Sequence, residues 1–134
     1  ESKVGPRPEG LVGTLDNACT CHEFASLVKD RLGCAGLRYI PADYSIRRVA
    51  VCSGAGGSLI RAAIHSGVDA FVTGEIKHHE ILMGLQHGIC VIEAGHFKTE
   101  DVAILPLTKK LSENFGDVEF IKSKVCVDPM KYLV

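Results

Sequence analysis

The sequence predicts an α/β domain, a mainly parallel or mixed sheet covered by helices. Three observations carry this. From Arg48 onward, strand-like and helix-like segments alternate in the order strand, helix, strand, helix, strand, helix, strand, the pattern of strands joined by helical crossovers. The strand-like runs are continuously apolar rather than alternating, as strands buried on both faces are. Glycines punctuate the segment boundaries at Gly33, Gly54, Gly67, Gly88 and Gly95.

Residues 1–10 are rich in Pro, Gly and charge and predict a linker or extended arm; residues 11–134 form the domain. Leu11–Leu15 is a short apolar run read as a strand. Thr20 and Glu23 form a T-x-x-E capping box before Phe24, Leu27, Val28 and Leu32 at helical spacing, with Gly33 as the stop. Leu37–Ile40 predicts a strand ended by Pro41. Arg48–Ser53 predicts a buried strand, followed by the glycine loop 54–57 and a helix capped by Ser58 and ended by Gly67. Asp69–Thr73 is a strand, His78–Gln86 a helix closed by Gly88, and Ile89–Ile92 a strand. A helix follows from about Thr99 to Asn114, kinked or split at Pro106. Val118–Ile121 predicts a last strand. The predicted core is Val49, Val51, Phe71, Val72, Ile89, Val91 and Ile92.

The 134 residues suit one domain with a sizeable core. Fifteen Lys+Arg against sixteen Asp+Glu give a net charge of -1. That balance supplies no global attraction for nucleic acid, although Arg47, Arg48 and Arg61 offer a local basic patch. No apolar run reaches transmembrane length and no N-terminal signal pattern is present, so a membrane role is not expected. The chain opens on Glu1, which points to a fragment or a processed protein. Six cysteines permit three disulfides, but a chain this apolar needs none. Cys52 and Cys90 sit inside apolar runs and read as small hydrophobes. The expectation is reduced thiols and a cytoplasmic location.

Gly95-His96-Phe97-Lys98-Thr99-Glu100 stands just beyond a buried strand, where open α/β sheets place ligands. If a helix begins near His96, then His96 and Glu100 at i, i+4 share a face and offer an imidazole and a carboxylate to one divalent ion. The spacing is common by chance. Taken alone, a solvated His beside a Glu that favours the helix dipole is the stronger reading. Glu75, in Val72-Thr73-Gly74-Glu75, emerges at the same sheet edge. It serves either as a base or hydrogen-bond acceptor beside a metal or as a helix N-terminal residue.

Other motifs are weaker. Adjacent helical residues such as His78 and His79 point about 100° apart and rarely reach one ion. Cys19-x-Cys21-His22 lacks a second cluster to complete a zinc site. The loop Ser53-Gly54-Ala55-Gly56-Gly57-Ser58 is neither a dinucleotide fingerprint nor a Walker loop. Anion contact and plain tight packing stand level for it.

Three segments together are more specific: residues 49–56 (VAVCSGAG), 67–75 (GVDAFVTGE) and 94–100 (AGHFKTE). In order and spacing they resemble the Nif-three-like family (NGG-one-interacting factor three), with Val127-Asp128-Pro129 similar to the family's end. The likeness runs from about Gly10 to Pro129. It implies a three-layer α/β/α fold of which this chain is the C-terminal half, with a dinuclear centre of two divalent metal ions in each complete site. His96 and Glu100 match the family's Gly-His, three residues, Glu ligand motif. The family's other ligands, a His-His pair and an Asp, belong to an N-terminal half with no counterpart here; His78-His79 follows the Thr-Gly-Glu motif and is not that pair. Two ligands alone leave an ion mostly water-bound, so the isolated chain is expected to be inactive and to hold metal weakly.

The resemblance implies a metal-dependent hydrolase of the kind called GTP cyclohydrolase type 2 homologues, with Glu75 assisting as a catalytic group. A non-catalytic interaction module is the alternative. The family is named for binding a transcriptional co-regulator, and its members assemble as ring-like hexamers, so a homo-oligomer and a transcription-related partner are expected. DNA binding in a ring channel is disfavoured by the balanced charge.

Overall fold

The computed structural model describes residues 9–125, 127–131 and 133. The arm predicted over residues 1–10 lies mostly outside the described residues, as does Cys126. The elements are β1 (Leu11–Cys19), α1 (Cys21–Leu32), β2 (Arg38–Tyr39), β3 (Ile46–Cys52), a 3₁₀ turn (Gly57–Leu59), α2 (Ile60–His65), β4 (Ala70–Thr73), α3 (His78–Gln86), β5 (Cys90–Glu93), α4 (His96–Asp101) and α5 (Ile104–Asn114).

The five strands form one mixed sheet in the order β1-β3-β4-β5-β2. β3, β4 and β5 are parallel; β1 and β2 run antiparallel at the two edges. The fold is three-layered because each face buries its own core. On one face α1 sets Cys21, Phe24 and Ala25 against Ile46, Val49, Ala70, Val72, Cys90 and Ile92. On the other, Ile60 and Ala63 of α2, with Ile76, pack on Ala50, Phe71 and Val91. All four residues of β4 are buried, which explains why that run carries no polar alternation.

α1 forms where the capping box places it. Thr20 Oγ1 accepts the Glu23 N–H at 3.2 Å, and the Glu23 carboxylate accepts the Thr20 N–H at 2.8 Å. Gly33 closes the helix in the left-handed region. The last helical pattern is also broken in two, but at Val102–Ala103 rather than at Pro106, and its first piece begins at His96 rather than Thr99. Pro106 is the third residue of α5, within the first turn, where its missing N–H costs nothing.

Several expectations are corrected. β1 runs on to Cys19, with a register shift between Thr14 and Cys19. Ser58 caps no helix; it lies inside the 3₁₀ turn, and α2 starts only at Ile60. Val118–Ile121 is not a strand. It pairs with neither edge strand of the sheet, β1 or β2, and Val118 and Ile121 are exposed. Val51 is not core: it is 40% exposed. Its side chain lines an apolar groove of about 530 Å³ between α1 and the β1–β3 corner of the sheet, which no element covers among the described residues. The other predicted core residues are buried. The expectation of reduced thiols fails at Cys90, which is joined to Cys21 as a disulfide. Cys21 begins α1, and packing of that helix sets it over β5 from a sequence separation of 69, a proximity that a run-by-run reading cannot see. Cys19, Cys34 and Cys52 are free. Burial pushes each of these three thiols above its ordinary pKa.

Among the described residues, no helix is long and apolar enough to cross a membrane.

Candidate metal centre

The site is built at one end of the three parallel strands. Cys52, Thr73 and Glu93, the last residues of β3, β4 and β5, stand side by side in register. The loops that follow them therefore leave the sheet at one level and meet. The β3 loop brings Gly54, the β4 loop Gly74 and Glu75, and the β5 loop Gly95 and His96. This is the crevice beyond the carboxyl ends of parallel strands in which α/β proteins bind ligands.

α4 begins at His96 itself, so the helical condition attached to the His96–Glu100 spacing is met. Nε2 of His96 lies 3.2 Å from Oε1 of Glu100, and Nδ1 lies 3.1 Å from Oε1 of Glu75. The three side chains are partly exposed, at 43%, 56% and 57% for His96, Glu100 and Glu75. The ring is thus bracketed by carboxylates, one on each nitrogen.

The close approach of the loops depends on glycine. Gly54 has φ +62°, and a Cβ there would lie 2.5 Å from Oε1 of Glu100 and 3.4 Å from Cε1 of His96. A Cβ on Gly74 would lie 2.9 Å from Cα of His96. Main-chain hydrogen bonds fasten the loops together. The Gly54 carbonyl accepts the N–H groups of Gly74 and Glu75 at 2.9 and 3.0 Å, and the Gly95 N–H donates to the Gly74 carbonyl at 3.1 Å.

These bonds also answer the question left open for the glycine loop. The Gly54 N–H donates to Thr99 Oγ1 and the Gly56 N–H to Thr73 Oγ1, both at 3.0 Å. Two of the amides that an anion cradle would need are already spent on threonine hydroxyls. The Gly54 and Gly56 amides therefore pack the loop and are not open to an anion.

The donors fit a divalent ion. Two ligand atoms roughly 2.0–2.2 Å from a shared ion, at angles near 90–110°, stand roughly 3–3.5 Å apart, which is the Nε2–Oε1 separation found. With its hydrogen on Nδ1, toward Glu75, His96 would turn its Nε2 lone pair toward the Glu100 carboxylate, an arrangement a bound cation would satisfy; with the hydrogen on Nε2 it donates to that carboxylate instead. Glu75 reaches the opposite side of the ring, so the three groups do not converge on one point. Among the described residues, no group of three or more His, Cys, Asp or Glu side chains is placed to hold an ion.

The remaining sequence candidates lie elsewhere. His78 and His79 are both exposed on α3. Cys19, Cys21 and His22 do not form a cluster: Cys21 is bonded to Cys90 and Nδ1 of His22 lies 3.1 Å from the Tyr39 hydroxyl. Sequence reasoning missed Thr99 and the wall made by Gly54. The only signal for Thr99 was a hydroxyl residue between His96 and Glu100, the two candidate ligands.

Comparison with known proteins identifies the family and agrees with the fold. A sequence model of the Duf34/NIF3 (NGG1p interacting factor 3) family matches residues 6–129. A Bacillus subtilis protein named GTP cyclohydrolase 1 type 2 homolog is 37% identical over 112 residues, covering 83% of this chain and 30% of its own length. A Staphylococcus aureus (strain Mu50) homolog of the same name is 30% identical over 130 residues, covering 92% of this chain and 35% of its own. The crystal structure of a Bacillus cereus protein related to NIF3 superposes with a TM-score of 0.86 at 29% identity, over 92% of this chain and 36% of that one. The chain therefore spans about a third of the length of these relatives. With the family model covering nearly the whole chain and the fold matching that of a NIF3-related protein, the chain belongs to the Duf34/NIF3 family.

Proposed function

We propose that this chain supplies two ligands, His96 and Glu100, to a divalent metal centre completed by protein beyond it, in a metal-dependent hydrolase. The observation that carries the reading is the convergence of Nε2 of His96 and Oε1 of Glu100 at 3.2 Å on one face of α4. When bound, a divalent ion supplies Lewis acidity and lowers the pKa of a coordinated water. His96 and Glu100 bind it, while Glu75 accepts the Nδ1–H of His96 and so presents Nε2 to the ion. Gly54 leaves the room that both ligands occupy. The limited share of the longer relatives that this chain spans supports a site finished by further ligands, because two protein donors make a weak one.

The test is metal analysis and a hydrolase panel on the full-length protein and its His96→Ala variant. The expected result is bound divalent metal in the parent, most of it lost in the variant, with the fold intact because the side chain is 43% exposed. Full metal content in His96→Ala overturns the assignment.

A non-catalytic interaction module is the second reading. It is favoured by the apolar surface left open at the β1–β3 corner, where Leu11 is 70% and Val51 40% exposed. Bound metal with no turnover on any panel substrate would favour it.

A further inference from the structure

We propose that Thr99 is a positioning residue of the metal site: its buried hydroxyl fastens the β3 loop to α4 and thereby sets the separation of His96 and Glu100 from the Gly54 wall. The inference rests on the reading of His96 and Glu100 as ligands. Among the described residues, Thr99, at 8% exposure, is one of two buried polar residues; Thr73 is the other. A helical threonine ordinarily returns its hydroxyl hydrogen to a carbonyl one turn back. Thr99 does this, with Oγ1 2.9 Å from the His96 carbonyl oxygen and 3.1 Å from that of Gly95. That uses the single hydrogen and leaves lone pairs free. One of them accepts the Gly54 N–H at 3.0 Å, across 45 residues of sequence.

The hydroxyl thus joins the strand-end loop that walls the site to the first turn of the helix that carries both ligands. Gly54 is held at both ends of its peptide groups. Its carbonyl is fixed by the β4 loop through the Gly74 and Glu75 N–H groups, and its amide by α4 through Thr99 alone. The loop and the ligand lie close together: a methyl group on Gly54 would meet the end of the Glu100 side chain. Loss of the Thr99 acceptor strands a buried N–H, which the loop relieves by moving away from α4. The ligands then lose the surface that defines their approach.

The experiment compares the full-length protein with Thr99→Ser, which keeps the hydroxyl, and Thr99→Val, which keeps the shape and removes it. Cobalt(II) titration followed by visible absorption reads the metal site. Amide exchange at Gly54 and ring nitrogen shifts of His96, measured by NMR without metal, read the positioning. Valine is expected to weaken cobalt binding by about ten- to a hundredfold, the usual cost of losing a group that orients a ligand. It should also speed Gly54 exchange and shift the His96 ring signals, while serine stays within a few-fold of the parent in all three. Thr99→Ala repeats the deletion if valine prevents folding. Unchanged cobalt affinity in the valine protein, or serine as weak as valine, overturns the proposal. If the parent takes up no cobalt, the metal-site reading fails on its own. The metal-free signals still decide Thr99: unchanged exchange and ring shifts in Thr99→Val reject it.

Discussion

Nδ1 of His96 stands 3.1 Å from Oε1 of Glu75, on the side of the ring away from Glu100. The pairing links the loop after β4 to the first residue of α4, and it separates two roles for Glu75 that the sequence left together. A carboxylate on Nδ1 can orient the imidazole as an acceptor of its hydrogen, whereas a base would have to take a proton from a substrate.

Glu75→Gln and Glu75→Ala distinguish these roles. The glutamine carbonyl can still accept the Nδ1–H, so Glu75→Gln should hold metal within a few-fold of the parent, while Glu75→Ala should lose about ten- to a hundredfold in affinity. Metal titration of both variants of the full-length protein checks this. A proton-accepting role predicts a different pattern: full metal content in Glu75→Gln with turnover abolished.

Phe71 should be a principal stabilising side chain. It is 1% exposed and packs between Ala50, Val91 and the helical layer that contains Ile60. Phe71→Ala removes a large buried ring and leaves a cavity, at a cost of about 3–5 kcal/mol. Denaturant unfolding reads the loss. Its neighbour in the predicted core, Val51, gives the contrast: at 40% exposure, Val51→Ala should cost far less.

The N-terminus of α1 should carry a pH dependence. The Thr20 backbone N–H and, secondarily, its hydroxyl hold the Glu23 carboxyl below its ordinary value of 4.5. A depressed carboxylate contributes stability above the unfolded-state pKa. That contribution is lost as pH falls through the lower, folded-state value. The wild-type chain should therefore lose stability in the acid range below about pH 4.5 in excess of a Glu23→Gln variant, which has nothing to titrate there. Thr20→Ala should cost about 1 kcal/mol at neutral pH. Thermal melts of the three proteins between neutral and acid pH test both statements.

Local chemistry made α1 legible: its cap, its apolar spacing and its Gly33 stop all lie within a few residues of one another. The parallel core of β3, β4 and β5 was legible for the same reason, through apolar runs and the crossovers between them. That core also located the site, since Glu75 and His96 both follow parallel strands and must emerge at one edge. What stayed hidden depends on partners far along the chain. The pairing of β1 with β3 lengthens it beyond its apolar run; Val51 is exposed because no element among the described residues covers it; the packing of α1 brings Cys21 to Cys90. Thr99 was silent because a helical threonine looks the same whether or not a distant N–H reaches its lone pair. The family resemblance was the ground for proposing His96 and Glu100 as ligands, which their spacing alone would not have distinguished from a solvated helix start.

Gly54→Ala should damage the site more than the fold. The residue has φ +62°, strained for any side chain, and the added methyl would sit 2.5 Å from Oε1 of Glu100. Backbone strain of this kind costs about 1–2 kcal/mol. The steric conflict can be relieved in two ways: the loop moves, against the four hydrogen bonds that Gly54 makes with Gly74, Glu75, Thr73 and Thr99, or the flexible Glu100 side chain swings away. The second is easier, because Glu100 is 56% exposed and has space to turn. Gly54→Ala should therefore unfold cooperatively at a modestly lower temperature while its metal affinity falls steeply, as in Glu100→Ala. If alanine lowers the melting temperature by tens of degrees with metal affinity unchanged in the surviving folded protein, the loop moved instead, and Gly54 is a fold residue that does not shape the ligands.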